Sequence, residues 1–411
     1  MGLIRSTLPW LAACIATATF AFFALFASSA HAASDLKDAV EAAWRRQPLA
    51  QAREARAEEF TARQNAASAL LPGPPALHIE HETDQISRNQ GLRKFNGEIA
   101  VPLWLPGQQE RARTLIGAER GAYDGHFAAA RLLLAGEVRD AYWLARTAAA
   151  EAQLAQAALD SVTALEADVA RRVKAGELAR IDGNRALAEA QFQRITLVEA
   201  QARAQRAFEQ FRALTGFAQL PAADETRITA QRPAPEAHPL VSAAGQAAQA
   251  ARARVAQAAG DTRDAPELGV GTGQARSDAT RPWEQTVTLR LRIPFGSDHR
   301  NRPRITAANA ELMEAQALQA RAAARVEAEM AAAEREQQAA LAALPLAQSR
   351  ALLARDTQQL IARGFAAGEF DLPARLRAER ERREADLGEA RARIEAGRAD
   401  SRLKQAYGWM P

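Results

Sequence analysis

The feature that most constrains this chain is that its marks recur at a fixed distance. Val101-Pro102-Leu103 returns as Ile293-Pro294-Phe295, Ala175-Gly176-Glu177-Leu178 as Ala367-Gly368-Glu369-Phe370, and Thr215-Gly216-Phe217 as Tyr407-Gly408-Trp409, each 192 positions on. Upstream, Gln47-Pro48-Leu49 returns as His238-Pro239-Leu240 at 191, which leaves one residue of slippage between. The spacing predicts two tandem copies of one domain-sized unit, residues 33–221 and 222–411, because the period is too long for a solenoid repeat.

Composition suits elongation better than a thick core. Aromatics are 6% of residues, and the 48% counted as hydrophobic is dominated by alanine, which favours helix and lets backbones approach closely. The 53 basic and 49 acidic residues are interleaved along helical segments, the pattern of a solvated helix face, so no nucleic-acid surface is expected.

Residues 1–32 read as a signal peptide. Arg5 is followed by an apolar run through Phe20, Phe22, Phe23, Leu25 and Phe26 that ends at Ala30-His31-Ala32, a small-residue cleavage site. Two other readings stay open: a lipidated Cys14 after Leu11-Ala12-Ala13, and a retained anchor helix. Cys14 is the only cysteine, so processing would leave a chain without disulfides. No later stretch approaches the roughly 20 apolar residues of a spanning helix, and any entry into a bilayer must use strands.

Each copy is expected to begin with a helix, from about Asp35 to Leu70 and from about Pro239 to Ala259. Breaks follow at Pro72-Gly73-Pro74-Pro75 and Asp261 to Pro266. Two strand-like segments come next in each. From Trp283 to Phe295, Trp283, Val287, Leu289, Leu291, Ile293 and Phe295 alternate with Glu284, Thr286, Thr288, Arg290 and Arg292. Phe95, Ile99, Val101 and Leu103 alternate with Asn96 and Glu98 in the same way, and period two sorts apolar and polar side chains onto opposite faces. The partner strands, Leu77 to Thr83 and Leu268 to Gln274, are poorer. One carries His78, Glu80 and Glu82 on one face, and the other contains Gly269, Gly271 and Gly273.

Beyond Pro102 and Pro294, the strand-helix junctions, about 70 residues of helix are expected in each copy. Leu134, Val138, Ala141 and Ala145, then Val162, Leu165 and Val169, form a coiled-coil-like seam. Gly176 and Gly368 mark the reversals. The fold class is therefore mainly α with a small β part: a duplicated unit of long coiled-coil-like helices plus four transmembrane strands. A four-stranded sheet in hydrocarbon leaves edge groups unpaired at several kcal/mol each. Closure needs more chains, and three protomers would make a 12-stranded β-barrel continued by an α-helical tunnel. In that setting Arg290 and Arg292 line water, and Trp283 and Trp104 sit at opposite interfaces.

This arrangement resembles the TolC family of outer-membrane efflux proteins over the whole processed chain. The marks are a Pro-Leu or Pro-Phe strand exit followed by glycine and basic residues (Pro102 to Arg113, Pro294 to Arg304), and an Arg-x-x-x-Gly-Glu segment (Arg172 to Gly176, Gly364 to Asp371). The run Ala367-Gly368-Glu369-Phe370-Asp371-Leu372 is further similar to the heavy-metal cation (CzcC-like) branch. The resemblance implies a homotrimer in outer-membrane lipid with a long periplasmic portion. Its partners would be a periplasmic adaptor (membrane fusion protein) and an inner-membrane RND-type pump. It also implies that Arg172, Gly176, Glu177, Asp182, Gly368, Glu369 and Asp371 lie at the periplasmic tip where the adaptor docks. Where the first copy has Asp182 the second has Ala374, which puts an acidic ring at the aperture in doubt. Glu369 and Asp371 could replace it, or Arg-carboxylate pairs could hold the tip.

His78-Ile79-Glu80-His81-Glu82 is the only histidine cluster. It fits neither zincin spacing, and on a strand His81 points away from the other three, so a polar pore lining is expected and no metal site or cofactor. No nucleophile-base pair or phosphate loop is present, and no enzyme is expected. The alternative function is a periplasmic coiled-coil adaptor or scaffold protein of an envelope complex.

Overall fold

The structure is a computed structural model that describes residues 35–222, 225, 231–296 and 298–411. The expected signal peptide, with Cys14, lies outside the described residues. In chain order the elements are α1 (Leu36–Arg45), α2 (Pro48–Gln51), α3 (Arg53–Ala67), β1 (Ala76–Thr83), β2 (Arg93–Pro102), α4 (Gln108–Lys174) and α5 (Arg180–Thr215). The second half runs α6 (Pro239–Gly260), β3 (Glu267–Arg276), β4 (Glu284–Arg292), α7 (Asp298–Ala367) and α8 (Leu372–Ala406).

The helix expected from Asp35 to Leu70 is divided in three, which corrects the sequence reading. Pro48 has no N–H to give and disfavours helical dihedrals in the residue before it, so Gln47 is extended (φ −76°, ψ 136°) and a new turn starts at the proline. The corresponding His238-Pro239 does the same at the start of α6. α1 is set by a capping box: the Asp35 carboxylate accepts from Leu36 N–H (2.7 Å) and Asp38 reaches back to Asp35 N–H (3.4 Å). Its buried face of Leu36, Val40 and Trp44 packs on Phe127, Val138 and Tyr142 of α4 and Phe211 of α5, with Trp44 edge-on to Phe127 at 4.8 Å.

The helix α4 has 67 residues and α7 has 70, each about 100 Å long at 1.5 Å per residue. α5 returns along α4, α8 returns along α7, α6 touches both long helices, and α8 also packs on α4. Within α4, Leu134, Val138, Ala145, Val162, Leu165 and Val169 of the expected seam are buried. Both hairpins reverse through the same device. Gly176 and Gly368 are left-handed (φ 84° and 81°), and the N–H of the next residue, Glu177 or Glu369, bonds back to the carbonyl of Arg172 (2.9 Å) or Gly364 (2.8 Å). These are paired Schellman motifs, which glycine permits because it lacks a Cβ.

The four strands form one antiparallel sheet in the order β1-β2-β3-β4. Ala76 pairs with Ala100, Pro102 with Glu267, and Glu267 with Arg292, so every strand-helix junction lies at one end of the sheet. The two strand-strand turns, 84–92 and 277–283, lie at the other. The strand expected from Trp283 to Phe295 is shorter at both ends, Glu284–Arg292, and Leu103 falls outside β2. Pro102 and Pro294 lack the N–H that would continue the ladder.

Candidate functional site

The sheet separates its side chains into two unlike faces. Partnered residues in an antiparallel register share a face, which places His78, Glu80 and Glu82 with Lys94, Asn96, Glu98, Gly269, Gly271, Gly273, Thr288, Arg290 and Arg292. The opposite face carries Leu77, Ile79, Ile99, Val101, Leu268, Val270, Val287, Leu289 and Leu291. The five proposed lining residues His78, Glu80, Glu82, Arg290 and Arg292 thus share one side, and His81 is on the other, its ring stacked on Phe95 at 4.2 Å.

In the central strands β2 and β3 exposure runs opposite to the usual pattern of a soluble sheet, and in the outer strands both faces are exposed, the aliphatic side chains included. Val287 is 84% exposed, Ile79 79% and Leu289 74%, whereas Glu98 on the polar face is 8% exposed. The cause is the glycine run in β3. With no Cβ at Gly269, Gly271 and Gly273, the side chains of Glu98 and Asn96 lie across that strand; a Cβ on Gly269 would fall 2.3 Å from Glu98 Oε1, and one on Gly273 2.4 Å from Asn96 Oδ1. Arg290 reaches over the same gap to Glu98 (3.3 Å), Arg292 pairs with Glu267 (3.4 Å), Lys94 with Glu82 (3.8 Å), and Asn96 donates to Glu80 (2.8 Å). Glu98, Lys94, Asn96 and Glu267 were not among the predicted lining residues. The period-two alternation contained the signal for Glu98 and Asn96, but not the partners, which depend on register.

At the far end of the helices the structure brings the two hairpin tips together. Phe365 and Leu372 of the second copy pack with Leu165, Val169 and Ala186 of the first. The Arg172 guanidinium lies 5.2 Å over the Phe365 ring and 3.4 Å from Asp168, and Glu177 and Glu369 are exposed at the turns. Asp182 pairs with Arg185 (3.6 Å), whereas Asp371 caps α8 by accepting from Ala374 N–H (2.9 Å). Carboxylates behind the tips are held by arginine: Glu379, 1% exposed, lies between Arg375 (2.7 Å) and Arg382 (3.4 Å), and Arg383 ties α8 to Glu189 of α5 (2.6 Å). Arg-carboxylate pairs are thus present behind the tips within the single chain. Phe365 and Glu379 were also missed, since neither repeats in the other copy.

Among the described residues no three His, Cys, Asp or Glu side chains converge as a metal site, and no helix is long and apolar enough to cross a membrane.

No protein-family model matches this sequence, and no curated protein matches it. Solved structures do. The outer membrane protein VceC of Vibrio cholerae superposes with a TM-score of 0.72 at 18% identity, over 91% of this chain and 96% of its own. The fold is that of a TolC-like outer-membrane channel protomer. CusC, studied for its folding and transmembrane channel formation, matches at 0.73 and 19% identity over 91% of this chain and 92% of its own. The CmeC outer membrane channel of Campylobacter jejuni matches at 0.73 and 13% identity over 91% and 85%. These three are outer-membrane or transmembrane-channel proteins by name.

Proposed function

We propose that this chain is one protomer of a homotrimeric outer-membrane channel, the passive exit duct of a tripartite efflux system. The observation that carries this reading is the inverted sheet: an exposed aliphatic face backed by a charged face whose central carboxylate, Glu98, is covered. Such a sheet is stable where its aliphatic side meets hydrocarbon and its polar side meets water. Its edges, β1 and β4, run antiparallel to one another because four strands alternate direction. β4 of one copy can therefore pair with β1 of the next without breaking the antiparallel ladder, and three copies close a barrel with no free edge.

The helices then extend from the junction end into the periplasm as a tunnel, with the joined hairpin tips farthest from the membrane. Arg172, Gly176, Glu177, Asp182, Gly368, Glu369 and Asp371 form the surface offered to a periplasmic adaptor, through which an inner-membrane RND-type pump delivers cargo. Heavy-metal cations are the cargo best supported. The polar face of each protomer carries Glu80, Glu82, Glu98, Glu267 and Glu284 against Lys94, Arg290 and Arg292, an acidic excess that favours cations in a narrow lumen. Cargo needs no closed ligand cage for transit.

Two measurements test this. Cell fractionation should recover the chain in outer-membrane vesicles as a heat-resistant trimer on a mild gel; a lone water-soluble rod would overturn the duct and favour the scaffold reading. Deleting the chain in its host should lower tolerance to zinc, cobalt, cadmium or copper. Unchanged metal tolerance with lost tolerance to organic drugs would retire the cation assignment and leave the duct intact.

A further inference from the structure

The end of the sheet away from the helices carries an uncompensated pair of cations on its lipid-facing side. Arg93 and Arg276 are direct register partners on the face that holds Ile99, Val270 and Leu289. Like charges placed opposite each other across two strands repel, and such a pair is normally relieved by an acid or separated. Here the acids of the neighbouring turns are already engaged. Asp84 accepts from Gln90 N–H (2.7 Å) and Gly91 N–H (3.3 Å), and Asp278 accepts from Thr280 N–H (2.8 Å) and Arg281 N–H (3.1 Å). Among the described residues no carboxylate lies within ion-pair distance of either guanidinium. Arg276 Nε is shielded from solvent with no hydrogen-bond partner.

The surroundings of the pair are those of an interface between lipid and water. Arg276 lies 5.2 Å over the Trp283 ring, Trp283 is 6.1 Å from Phe95, and Phe95 stacks on His81. One row nearer the helices the same face carries His81, Phe95, Gln274 and Gln285, and the aliphatic side chains begin in the row beyond, with Ile79 and Val287. A ligand that satisfies both parts must present an anion to two guanidinium forks and acyl chains to Ile79, Ile99, Val270 and Val287. Guanidinium groups recognise phosphate bidentately, and basic residues beside a hydrophobic span bind anionic headgroups.

The geometry points to Arg93 and Arg276 as a binding site for the phosphate of an outer-leaflet phosphorylated lipid, whose acyl chains lie on the aliphatic band below. This rests on the bilayer placement proposed above. Lipid is favoured over free phosphate because the arginines stand on the same face as that band, two rows from it across His81 and Phe95, and because the shielded Nε sits beside aromatic rings. The bound phosphate would neutralise the repulsion within each protomer and so tighten β2 against β3 at the rim.

The test uses the full chain purified in mild detergent and reconstituted into nanodiscs containing bis-phosphorylated lipid A, or the same lipid with its phosphates removed. Native mass spectrometry reads retained lipid, and thermal melting of the assembled oligomer reads its effect. The wild-type chain should retain the phosphorylated lipid at least about tenfold better than the dephosphorylated one and melt higher with it. R93Q/R276Q should abolish that preference while still inserting and assembling, and R321Q, on the exposed side of α7, should keep it. Equal retention by wild type and R93Q/R276Q would overturn the site. Displacement of the lipid by millimolar inorganic phosphate would overturn the lipid source in favour of a free anion. Failure of the wild-type chain to enter any nanodisc would overturn the bilayer reading itself, a result distinct from insertion without lipid preference.

Discussion

Gly271 shows at the residue scale how a residue with no side chain can control several that have one. A Cβ there would lie 2.8 Å from the Gly97 carbonyl oxygen, a backbone atom that cannot swing away, and 3.1 Å from Glu98 Cβ. Gly271→Val should therefore separate β2 from β3 and loosen the Glu98–Arg290 pair, at a cost of about 1–3 kcal/mol for forced overpacking. A lowered thermal midpoint of the purified oligomer measures it, and Thr288→Val on the adjacent strand should change little. His238 offers a second residue-scale prediction. Its Nδ1 accepts from Leu240 N–H (3.2 Å) at the start of α6, and burial holds its pKa below the usual 6.5 against the opposing hydrogen bond to the Gln405 backbone. Because the folded chain keeps this ring neutral while the unfolded chain protonates it, the stability it contributes is complete above pH 6.5. It is lost as pH falls through the folded-state value. Melting temperature should thus drop between pH 7.5 and 5.5, and His238→Asn, which keeps an N-cap acceptor, should flatten that dependence.

At the element scale, the connector between α5 and α6 is tied to both copies through one buried ion pair. Arg139 of α4 and Glu225 meet at 2.8 Å with 3% and 6% of their side chains exposed, and Ser401 of α8 donates to the same carboxylate. Removing only the carboxylate charge, as in Glu225→Gln, strands a buried guanidinium and should cost about 3–5 kcal/mol in urea unfolding. Replacing both partners by apolar residues of similar volume should cost much less. Much of the element layout was legible in the sequence: the glycines that reverse the hairpins, the prolines that end the strands, and the alternation that defines β4 are local signals with local causes. The division of the first helix was signalled by Pro48 but passed over. The Gly269 to Gly273 run read as a weak strand, because its purpose lies in side chains 170 residues away in sequence. The tip network was illegible for the same reason. Glu379 with Arg375 and Arg382 sits in a run of alternating charge that looks like any solvated helix face, and only packing shows which carboxylate is buried.

At the scale of the whole molecule, the duplication is asymmetric in what it buries. The first copy buries an aromatic cluster around Trp44, Phe127, Tyr142 and Trp143, whereas the second centres on Val326, Met330 and Tyr407, whose hydroxyl donates to Glu334 and is pushed up to about 12, chiefly by burial. The two copies are therefore held by unlike cores, whereas a head-to-tail ring depends on complementary outer surfaces on each protomer. The unfinished sheet makes the same demand at the membrane end, since β1 and β4 each keep one free edge.

That demand can be measured directly. Cys14 is the only cysteine in the chain, so a Cys14→Ser background carrying one cysteine on β1 (at Leu77, Ile79 or His81) and one on β4 (at Val287, Leu289 or Leu291) is free of competing thiols, and the set of pairs samples the stagger between copies that closure imposes. Within one chain those edges are three strand spacings apart, roughly 14 Å, beyond a thiol-specific cross-linker of about 8 Å span. Treated in native membranes, at least one double variant should run as a covalent trimer on a denaturing gel, and each single variant as a monomer. A full set of double variants that remains monomeric while both thiols of each react with a small maleimide would contradict closure of the sheet between neighbouring chains.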